Sequence, residues 1–390
     1  MCQKKKSCSS WGCIRMVEIC SRCVMDNSDP SITFDEAGVC NCCKRYDEQT
    51  ALRGYRPGES EHELEALVAH IKEDSKDKEF DCIIGISGGV DSAYLAWTAQ
   101  KLGLRMLAVH VDTGWNSEIA VRNIERLCDK LQIQLHTIVM DWPTMKELQR
   151  AYQFSGLANL DVPQDHLLVA AVYRFAKEYG IRYVLNGTNI ATEGASSPFS
   201  KQLSCMDYWH LKSVYRRWGR RKSLRKYPHL SLIQARWKFT AIEQVNLLNY
   251  VPYSKKRAIE TLSRKFGWEY YGGKHFESRF TKWFQSVYLP RKFGSDKRRY
   301  HLSCLINNGE MTRDEALAEL EQPPYPEDQM REDEEYILKK LDITPAQWAK
   351  VMSEPPTPNE AYFSQEKIIR FAEKLLGASR TAAIKSQKSK

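Results

Sequence analysis

The features that would place this chain in or across a membrane are missing from its sequence. No apolar run approaches the roughly 18 residues of a membrane helix. The first residues, MCQKKKSCSSWGC, contain no apolar core of the kind found in signal peptides. We therefore expect a soluble cytoplasmic protein. Organised sequence begins only at Met16, so residues 1–15 are predicted to be a disordered, dispensable lead.

Two common phosphate-binding signatures are also absent. The glycine-rich stretch IIGISGGVDS (83–92) is not followed by the Gly-Lys-Ser/Thr of a Walker A motif. It also lacks the G-x-G-x-x-G spacing of dinucleotide-binding folds. If this stretch binds phosphate, it must do so in another way.

Cysteine, in contrast, is plentiful, with twelve in 390 residues. In a cytosolic chain, cysteines are more often ligands, nucleophiles or core residues than disulfides. Two Cys-x-x-Cys pairs lie sixteen residues apart, and four such thiolates can close a tetrahedral structural zinc site. The predicted ligands are Cys20, Cys23, Cys40 and Cys43, with Cys42 as a rival for Cys43, and the intervening segment reads as a hairpin that turns at Gly38.

The formal charge of +9 suits an acidic partner such as a nucleotide, a sugar nucleotide or RNA. The length allows one large core or two to three modules. The predicted organisation is a lead (1–15), a zinc ribbon (16–50), a linker helix (51–79), a nucleotide-binding domain (80–255), a helical substrate or partner region (256–380) and a flexible tail (381–390).

Short apolar runs alternate with helical stretches from Phe80 onward. The predicted strands are CIIGIS, MLAVHVD, LHTIVM and YVLNG, and amphipathic segments separate them. Buried strands alternating with helices predict an α/β fold with a doubly wound parallel sheet. Ligands of such sheets bind at the carboxyl ends of the strands.

The stretch SGGVDS lies at the first predicted strand-to-helix junction. Backbone N–H groups at a glycine turn, together with the positive end of a helix, form an anion site. Glycine lets the backbone approach phosphate oxygens closely. The predicted phosphate-binding residues are Ser87, Gly88, Gly89, Val90, Asp91 and Ser92.

This hexapeptide resembles the pyrophosphate loop of the N-type ATP pyrophosphatases, or PP-loop superfamily. The resemblance implies that ATP is cleaved between its α and β phosphates while a carbonyl oxygen is adenylated. Magnesium would bridge the phosphates, with Asp91 as its candidate ligand and Glu193 as a weaker one. The resemblance also implies nucleotide contacts at the ends of later strands, from His110, Asp112, Asn186, Gly187 and Thr188.

Two enzyme classes of this superfamily compete at this point. A tRNA-thiolating enzyme would combine the same loop with a zinc module and a basic surface, and would need reactive cysteines near the catalytic domain. Cys82, Cys128, Cys205 and Cys304 are scattered singly, which weakens that interpretation. A nitrogen-transferring enzyme needs no such cysteine but must receive ammonia, and no glutaminase domain is evident. A non-enzymatic zinc-ribbon module is disfavoured because the loop is intact.

The stretches DVPQDH, GGKHFESRFTKWFQ, YLPRKFGSDKRRYHLS and GEMTRDEALAEL, together with the cysteine module, resemble the N-acetyl sugar amidotransferase family of the WbpG and PseA type. That resemblance covers roughly residues 20–325. It implies conversion of an acetamido group on a UDP-linked sugar to an acetamidino group, in O-antigen or flagellin glycan synthesis. It also implies ammonia supplied by a HisH-like glutaminase through a HisF-like partner, with nucleic acid and membranes not involved.

The implied chemistry assigns roles to basic and acidic residues of the second half. Asp91, Lys274, His275 and Glu277 are the catalytic candidates, and His275 or Glu277 would take the proton lost by ammonia. Four cations would neutralise phosphate or uronate charge. They are Arg279, Lys292, Lys297 and Arg298.

A basic and aromatic stretch around Arg216 to Lys226 has three interpretations. It could bind single-stranded RNA, grip an acidic sugar nucleotide or dock the ammonia-supplying partner. We favour a lid or a partner surface.

Overall fold

The apolar runs form one five-stranded parallel sheet. A computed structural model describes residues 17–194, 205–220, 223–366 and 368–369. The strand order is β3-β2-β1-β4-β5. The strands are β1 (Cys82–Gly85), β2 (Met106–Asp112), β3 (Gln134–Val139), β4 (Tyr183–Leu185) and β5 (Glu243–Val245).

The sequence pattern of each strand follows its place in the sheet. Strands β1, β2 and β4 lie inside the sheet and are almost continuously buried, as parallel strands covered on both faces require. The edge strand β3 alternates between partly buried and exposed residues. The prediction of a doubly wound parallel sheet is confirmed, and four strands were predicted near their observed positions. The fifth strand was missed.

Helices cover both faces of the sheet. The helices of the first two thirds of the chain are α1 (Asn41–Arg53), α2 (Glu59–Asp74), α3 (Val90–Lys101), α4 (Glu118–Leu131), α5 (Trp142–Ser155), α6 (Val162–Glu178), α7 (Ile190–Glu193), α8 (Tyr208–Trp218), α9 (Leu232–Lys238) and α10 (Lys255–Phe266). Those that follow are α11 (Arg279–Trp283), a π-helical turn (Phe284–Tyr288), α12 (Leu289–Phe293), α13 (Lys297–Asn307), α14 (Arg313–Glu321), α15 (Glu327–Lys340) and α16 (Pro345–Ser353).

Alternate residues of the strands feed two separate apolar cores. On one face, Cys82 and Ile84 of β1 pack with α2, α3, α4 and α10. On the other face, Ile83 packs with α5, α6, α8, α11, α15 and α16. The C-terminal helices therefore complete the second core, and the helical character predicted for that region is confirmed.

The cysteine-rich module packs on α13 and α14 at one side of the sheet. A single antiparallel bridge joins Phe34 to Cys40, and Gly38 turns between them with φ +75°. Arg313 Nε donates to the carbonyls of Cys20 and Cys23, at 3.1 Å each. The module is thus tied to the C-terminal helices as well as to its own turns.

No described helix is both long enough and apolar enough to cross a bilayer. The expectations for residues 1–15 and 381–390 lie outside the described residues.

Candidate active site

The loop Ser87–Ser92 leaves the carboxyl end of β1 and enters α3 at Val90. Gly88 has φ +81°, and a Cβ there would lie 2.6 Å from the carbonyl oxygen of Ala120, so only glycine fits. Two short contacts close the loop on itself. The amide of Gly89 donates to Ser87 Oγ at 3.2 Å, and Ser92 Oγ donates to the Gly89 carbonyl at 3.2 Å.

The segment after β4 packs against this loop. The strand order reverses between β1 and β4, because β2 lies on one side of β1 and β4 on the other. Chains that leave neighbouring strands at such a point diverge and open a crevice for ligands. Gly187 approaches so closely that a Cβ there would lie 3.3 Å from the Ser92 nitrogen. The residues predicted after the fourth strand therefore face the predicted phosphate loop.

A cleft of about 510 Å³ lies over the loop. Its walls bring together most of the residues that the sequence predicted to act on nucleotide. They include Ser87, Gly89, Val90, Asp91, Ser92, Asn186, Gly187, Thr188, Lys274, His275 and Glu277. A second cavity of about 320 Å³ adjoins it and contains His110. Two predicted residues lie behind the walls: Gly88 faces α4, and the Asp112 carboxylate accepts from the Gly114 amide at 2.8 Å.

Backbone pairing positions Lys274, His275 and Glu277, the catalytic candidates of the second half of the chain, at the cleft. Ser278 forms an antiparallel bridge with Asn116 in the turn between β2 and α4. On either side of it, Ser117 N donates to the Glu277 carbonyl and Arg279 N donates to the Trp115 carbonyl, both at 2.8 Å. These bonds hold the segment 274–278 against the phosphate loop 87–92.

Lys274 is the buried cation of the cleft. Its Nζ lies 2.9 Å from Glu193 Oε1 and 3.8 Å from Asp91 Oδ2, and its side chain is 9% exposed. Burial lowers the pKa of Lys274, but the two carboxylates outweigh it and hold the pKa above its ordinary value. The ammonium therefore stays charged beside the phosphate loop.

Asp91 and Glu193 offer the oxygen ligands that magnesium prefers. Both carboxylates face the same ammonium, and the opposite oxygen of Asp91 accepts from the Tyr253 hydroxyl. Burial raises the pKa of Glu193, but Lys274 and His275 outweigh it and bring the pKa below its ordinary value, so this carboxylate stays ionised. Two carboxylates at the edge of a phosphate site fit a Mg²⁺ ion that also binds phosphate.

His275 and Glu277 lie where the two cavities meet. Both residues line both cavities, and His275 Nδ1 is 3.7 Å from Glu277 Oε1. Glu277 Oε2 is buried without a hydrogen-bond partner among the described residues. His275 has φ +65°, a conformation that costs free energy in a residue other than glycine and is often found at functional sites.

Sequence reasoning missed Asp165, which lines both cavities as well. Its side chain is exposed toward the cavities, and the described residues provide neither a side-chain hydrogen bond nor an ion pair to its carboxylate. Burial raises the pKa of Asp165 to about 6, although His275 and Lys297 oppose the shift. The only available signal was its place in DVPQDH, a stretch that was noted for resemblance alone.

Of the four predicted substrate-binding cations, only Lys297 lines either of these two cavities. It lines the 320 Å³ cavity opposite Asp161 and Asp165, and burial lowers its pKa. The other three have structural partners instead. Arg279 pairs with Asp333 of α15 at 2.6 Å, Lys292 donates to the Val351 and Glu354 carbonyls at the end of α16, and Arg298 pairs with Asp296 at 2.8 Å.

The four predicted zinc ligands converge in the cysteine module. The Sγ atoms of Cys20, Cys23, Cys40 and Cys43 are buried and lie within 4.8 Å of one another. Cys23 Sγ and Cys40 Sγ are 3.7 Å apart, close to the edge of about 3.8 Å expected for a tetrahedron with Zn–S bonds of about 2.3 Å. The Cys40 amide donates to Cys20 Sγ at 3.2 Å, as expected of a thiolate in a metal knuckle. The donor set fits zinc and places Cys43, rather than Cys42, in the cluster.

Comparison with known proteins matches two separate segments of the chain to different families. Residues 277–376 match the C-terminal domain of LPS biosynthesis protein WbpG-like sequences. Residues 63–199 match NAD synthase. No curated protein matches the chain.

Two solved structures are similar to parts of the chain. One is NMN synthetase from Francisella tularensis, with 23% identity over 37% of this chain and a TM-score of 0.29. That match spans only 60% of the NMN synthetase. The other is the ammonia-dependent NAD synthetase of Campylobacter jejuni, with 15% identity over 65% of this chain, 97% of that chain and a TM-score of 0.29.

Proposed function

Because the chain belongs to the WbpG type of the PP-loop superfamily, we propose that it is an ATP-dependent amidotransferase of lipopolysaccharide biosynthesis. It adenylates the acetamido carbonyl of a UDP-linked N-acetylated sugar and replaces the oxygen with ammonia, which gives an acetamidino sugar. The observation that carries this proposal is the convergence of Asp91, Lys274 and Glu277 on the cleft over the loop 87–92. The enzyme would act in the cytoplasm, where ATP and sugar nucleotides are present.

The proposed reaction has two steps that balance without a redox partner. The amide oxygen attacks the α-phosphorus of ATP, pyrophosphate leaves, and the nitrogen loses its proton to give an O-adenylyl imidate. Ammonia then adds to the imidate carbon, and AMP leaves with the original oxygen. Water at the same carbon would regenerate the amide, so the centre must exclude it.

The described side chains suit these steps. The loop amides and the first turn of α3 hold the leaving phosphates, while Lys274 supplies a fixed positive charge where negative charge accumulates. Mg²⁺, held by Asp91 and Glu193, would screen the phosphates and stabilise the leaving pyrophosphate. Glu277 has a buried oxygen without a partner and is placed to accept a proton from the entering nitrogen. Lys297, in the adjoining cavity, is placed to bind a uronate or phosphate group of the sugar.

The ammonia source belongs to the same proposal. No glutaminase is evident in the chain, so a HisH-like glutaminase and a HisF-like channelling subunit would supply ammonia. In their absence, a high concentration of ammonium should replace them.

The decisive experiment combines the protein, Mg-ATP, ¹⁵N-ammonium and a UDP-linked di-N-acetylated uronic acid. Mass spectrometry should find AMP, pyrophosphate and a sugar that carries one ¹⁵N in place of oxygen. ATP hydrolysis that does not depend on the sugar, with no labelled product, would overturn the proposal.

One observation favours a second candidate, ATP-dependent tRNA thiolation: Cys205 lies in the wall of the cleft. However, burial raises the pKa of this thiol to about 12, which opposes a role as a sulfur carrier at neutral pH. AMP formation that requires tRNA and a sulfur donor, and is lost in Cys205→Ala, would favour thiolation.

A further inference from the structure

A separate cavity of about 750 Å³ lies between α8 and the segment 223–234. It shares no lining residue with the cleft over the phosphate loop. Its volume is within the range of small-molecule sites. Among the residues that the structure describes, the lining combines aromatic rings with cations and contains no carboxylate. The residues that matter here are Tyr208, Trp209, Lys212, Arg216, Arg225 and His229.

The cations of this cavity lack the partners that their neighbours have. Arg220 lies 3.8 Å from Glu147, and Lys226 lies 2.9 Å from Asp141. Within the described ranges, no carboxylate forms an ion pair with Lys212, Arg216 or Arg225. Three uncompensated positive charges around one concavity raise the local potential and favour an anion.

The aromatic groups of the cavity include one stacked pair and a partly exposed tryptophan. The rings of Tyr208 and His229 are 3.9 Å apart and within 17° of parallel. The Lys212 ammonium lies 4.9 Å from the centre of the Trp209 ring, and Trp209 is 37% exposed. Because Tyr208 and His229 already stack on each other, the aromatic surface open to a ligand is that of the exposed His229 and Trp209 side chains. Exposed aromatic surface beside cations is a combination that proteins use for nucleobases next to phosphates.

We propose that this cavity binds a nucleoside diphosphate, with the base on the aromatic residues of α8 and the phosphates between Lys212, Arg216 and Arg225. The site goes beyond the proposed function, because it is distinct from the ATP site at the phosphate loop. The ligand is either a free nucleotide or the nucleotide half of a sugar nucleotide, since the chemistry recognised is the same. Tyr208 follows Met206, a residue of the cleft wall, by two positions, so the two sites are neighbours.

The test is calorimetric titration of UDP into the full chain, with the phosphate loop first saturated by α,β-methylene-ATP. One equivalent of UDP should still bind. Arg216→Gln and Arg225→Gln should each weaken UDP binding about tenfold or more, because each removes a charge-assisted hydrogen bond to phosphate. Trp209→Ala should also weaken UDP binding, while leaving the affinity for inorganic diphosphate unchanged.

Arg217→Gln is the matched control. Arg217 is the next residue on α8, but its guanidinium lies over the Trp218 and Tyr362 rings, outside the cavity. Its UDP affinity should equal that of the wild type. A parallel titration with UDP-N-acetylglucosamine separates the two sources: tighter binding than UDP identifies a sugar nucleotide, and equal binding a free nucleotide.

Three outcomes overturn the inference. In the first, UDP competes with α,β-methylene-ATP, which would place it at the phosphate loop. In the second, diphosphate binds as tightly as UDP, which would leave an anion patch without base recognition. In the third, single-stranded RNA binds far more tightly than any nucleotide. None of these depends on amidotransfer, so the inference and the proposed function can fail separately.

Discussion

Lys274 and Glu193 form a 2.9 Å ion pair in the wall of the cleft, although they are 81 positions apart in the chain. Lys274 belongs to the segment 274–278, which lies over the loop 87–92. Glu193 is the last residue of α7. Thr192 adds a hydroxyl oxygen 3.3 Å from the same Nζ. The pair therefore joins the segment that matches NAD synthase (63–199) to the residues just before the segment that matches the WbpG-like domain (277–376).

Replacement of Lys274 by Met should abolish most ATP turnover without unfolding the protein. Methionine keeps the unbranched stem of the side chain but lacks the ammonium, so Asp91, Glu193 and the phosphates are left without a cation. We expect AMP formation to fall by a factor of about 100 or more, the usual loss when a fixed electrostatic contact to a developing charge is removed. Lys177→Met, on the exposed end of α6, should keep wild-type rates. Full turnover in Lys274→Met would remove this lysine from the mechanism.

Gly88 offers a test of the loop backbone. In Gly88→Ala the new Cβ meets the Ala120 carbonyl at 2.6 Å and also requires φ +81°, so the loop or α4 must move. We expect a loss of about 2–4 kcal/mol in the free energy of unfolding by urea denaturation, together with weaker ATP binding. Gly58 has the same φ, +82°, but no atom within 4 Å of its Cβ position. Gly58→Ala should cost only about 1 kcal/mol and leave ATP binding intact. Equal losses in both variants would show that the close approach to Ala120 has no effect.

The strands that the sequence predicted most clearly are those buried on both faces of the sheet. Strands β1, β2 and β4 are buried on both faces, and their apolar runs are unmistakable. Strand β5 has the sequence Glu243-Gln244-Val245, and its first two residues are exposed. A three-residue edge strand of that composition contains no periodic signal, so only tertiary pairing with β4 defines it.

The candidate site was predictable only where a motif fixed the backbone. The loop 87–92 and the segment 274–277 reach one cleft, as the family resemblance implied. For isolated cations, sequence shows a charge but not its partner. The partner of Arg279 is Asp333, 54 residues away, and Lys292 caps a helix that begins 53 positions later. Asp165 was missed for the converse reason, because nothing in the sequence shows that its carboxylate lies between two cavities without a partner among the described residues.

The zinc assignment makes a prediction that separates two neighbouring cysteines. Cys43→Ser should lose about one zinc ion per chain, as measured by elemental analysis, and should lower the melting temperature by several degrees. Cys42→Ser should keep its zinc, because the Cys42 Sγ is outside the four-sulfur cluster. Zinc content that depends on Cys42 and not on Cys43 would contradict this ligand set. The stability loss should be large because the module packs on Tyr300 and Cys304 of α13, the helix that begins at Lys297.

Replacement of Asp165 by Asn should raise the stability of the protein and lower its activity, and the gain in stability should depend on pH. Its pKa of about 6 is above the ordinary aspartate value, because burial disfavours the charged form. Above pH 6 the folded protein therefore holds an unfavourable charge, and that cost disappears as the pH falls toward the ordinary pKa of about 4. Asp165→Asn removes the charge, so its melting temperature should exceed that of the wild type at pH 7.5 and match it at pH 4.

Activity should change in the opposite direction. If the ionised carboxylate binds or accepts a proton where the two cavities meet, the wild-type rate falls as the pH drops below about 6, and Asp165→Asn is slow at every pH. If Asp165→Asn is more stable but less active than the wild type, then Asp165 serves the reaction and lowers the stability of the protein. Asp129→Asn, on the exposed face of α4, should alter neither property. An Asp165→Asn enzyme with full activity and an unchanged pH profile would show that the charge of Asp165 serves no step of the reaction.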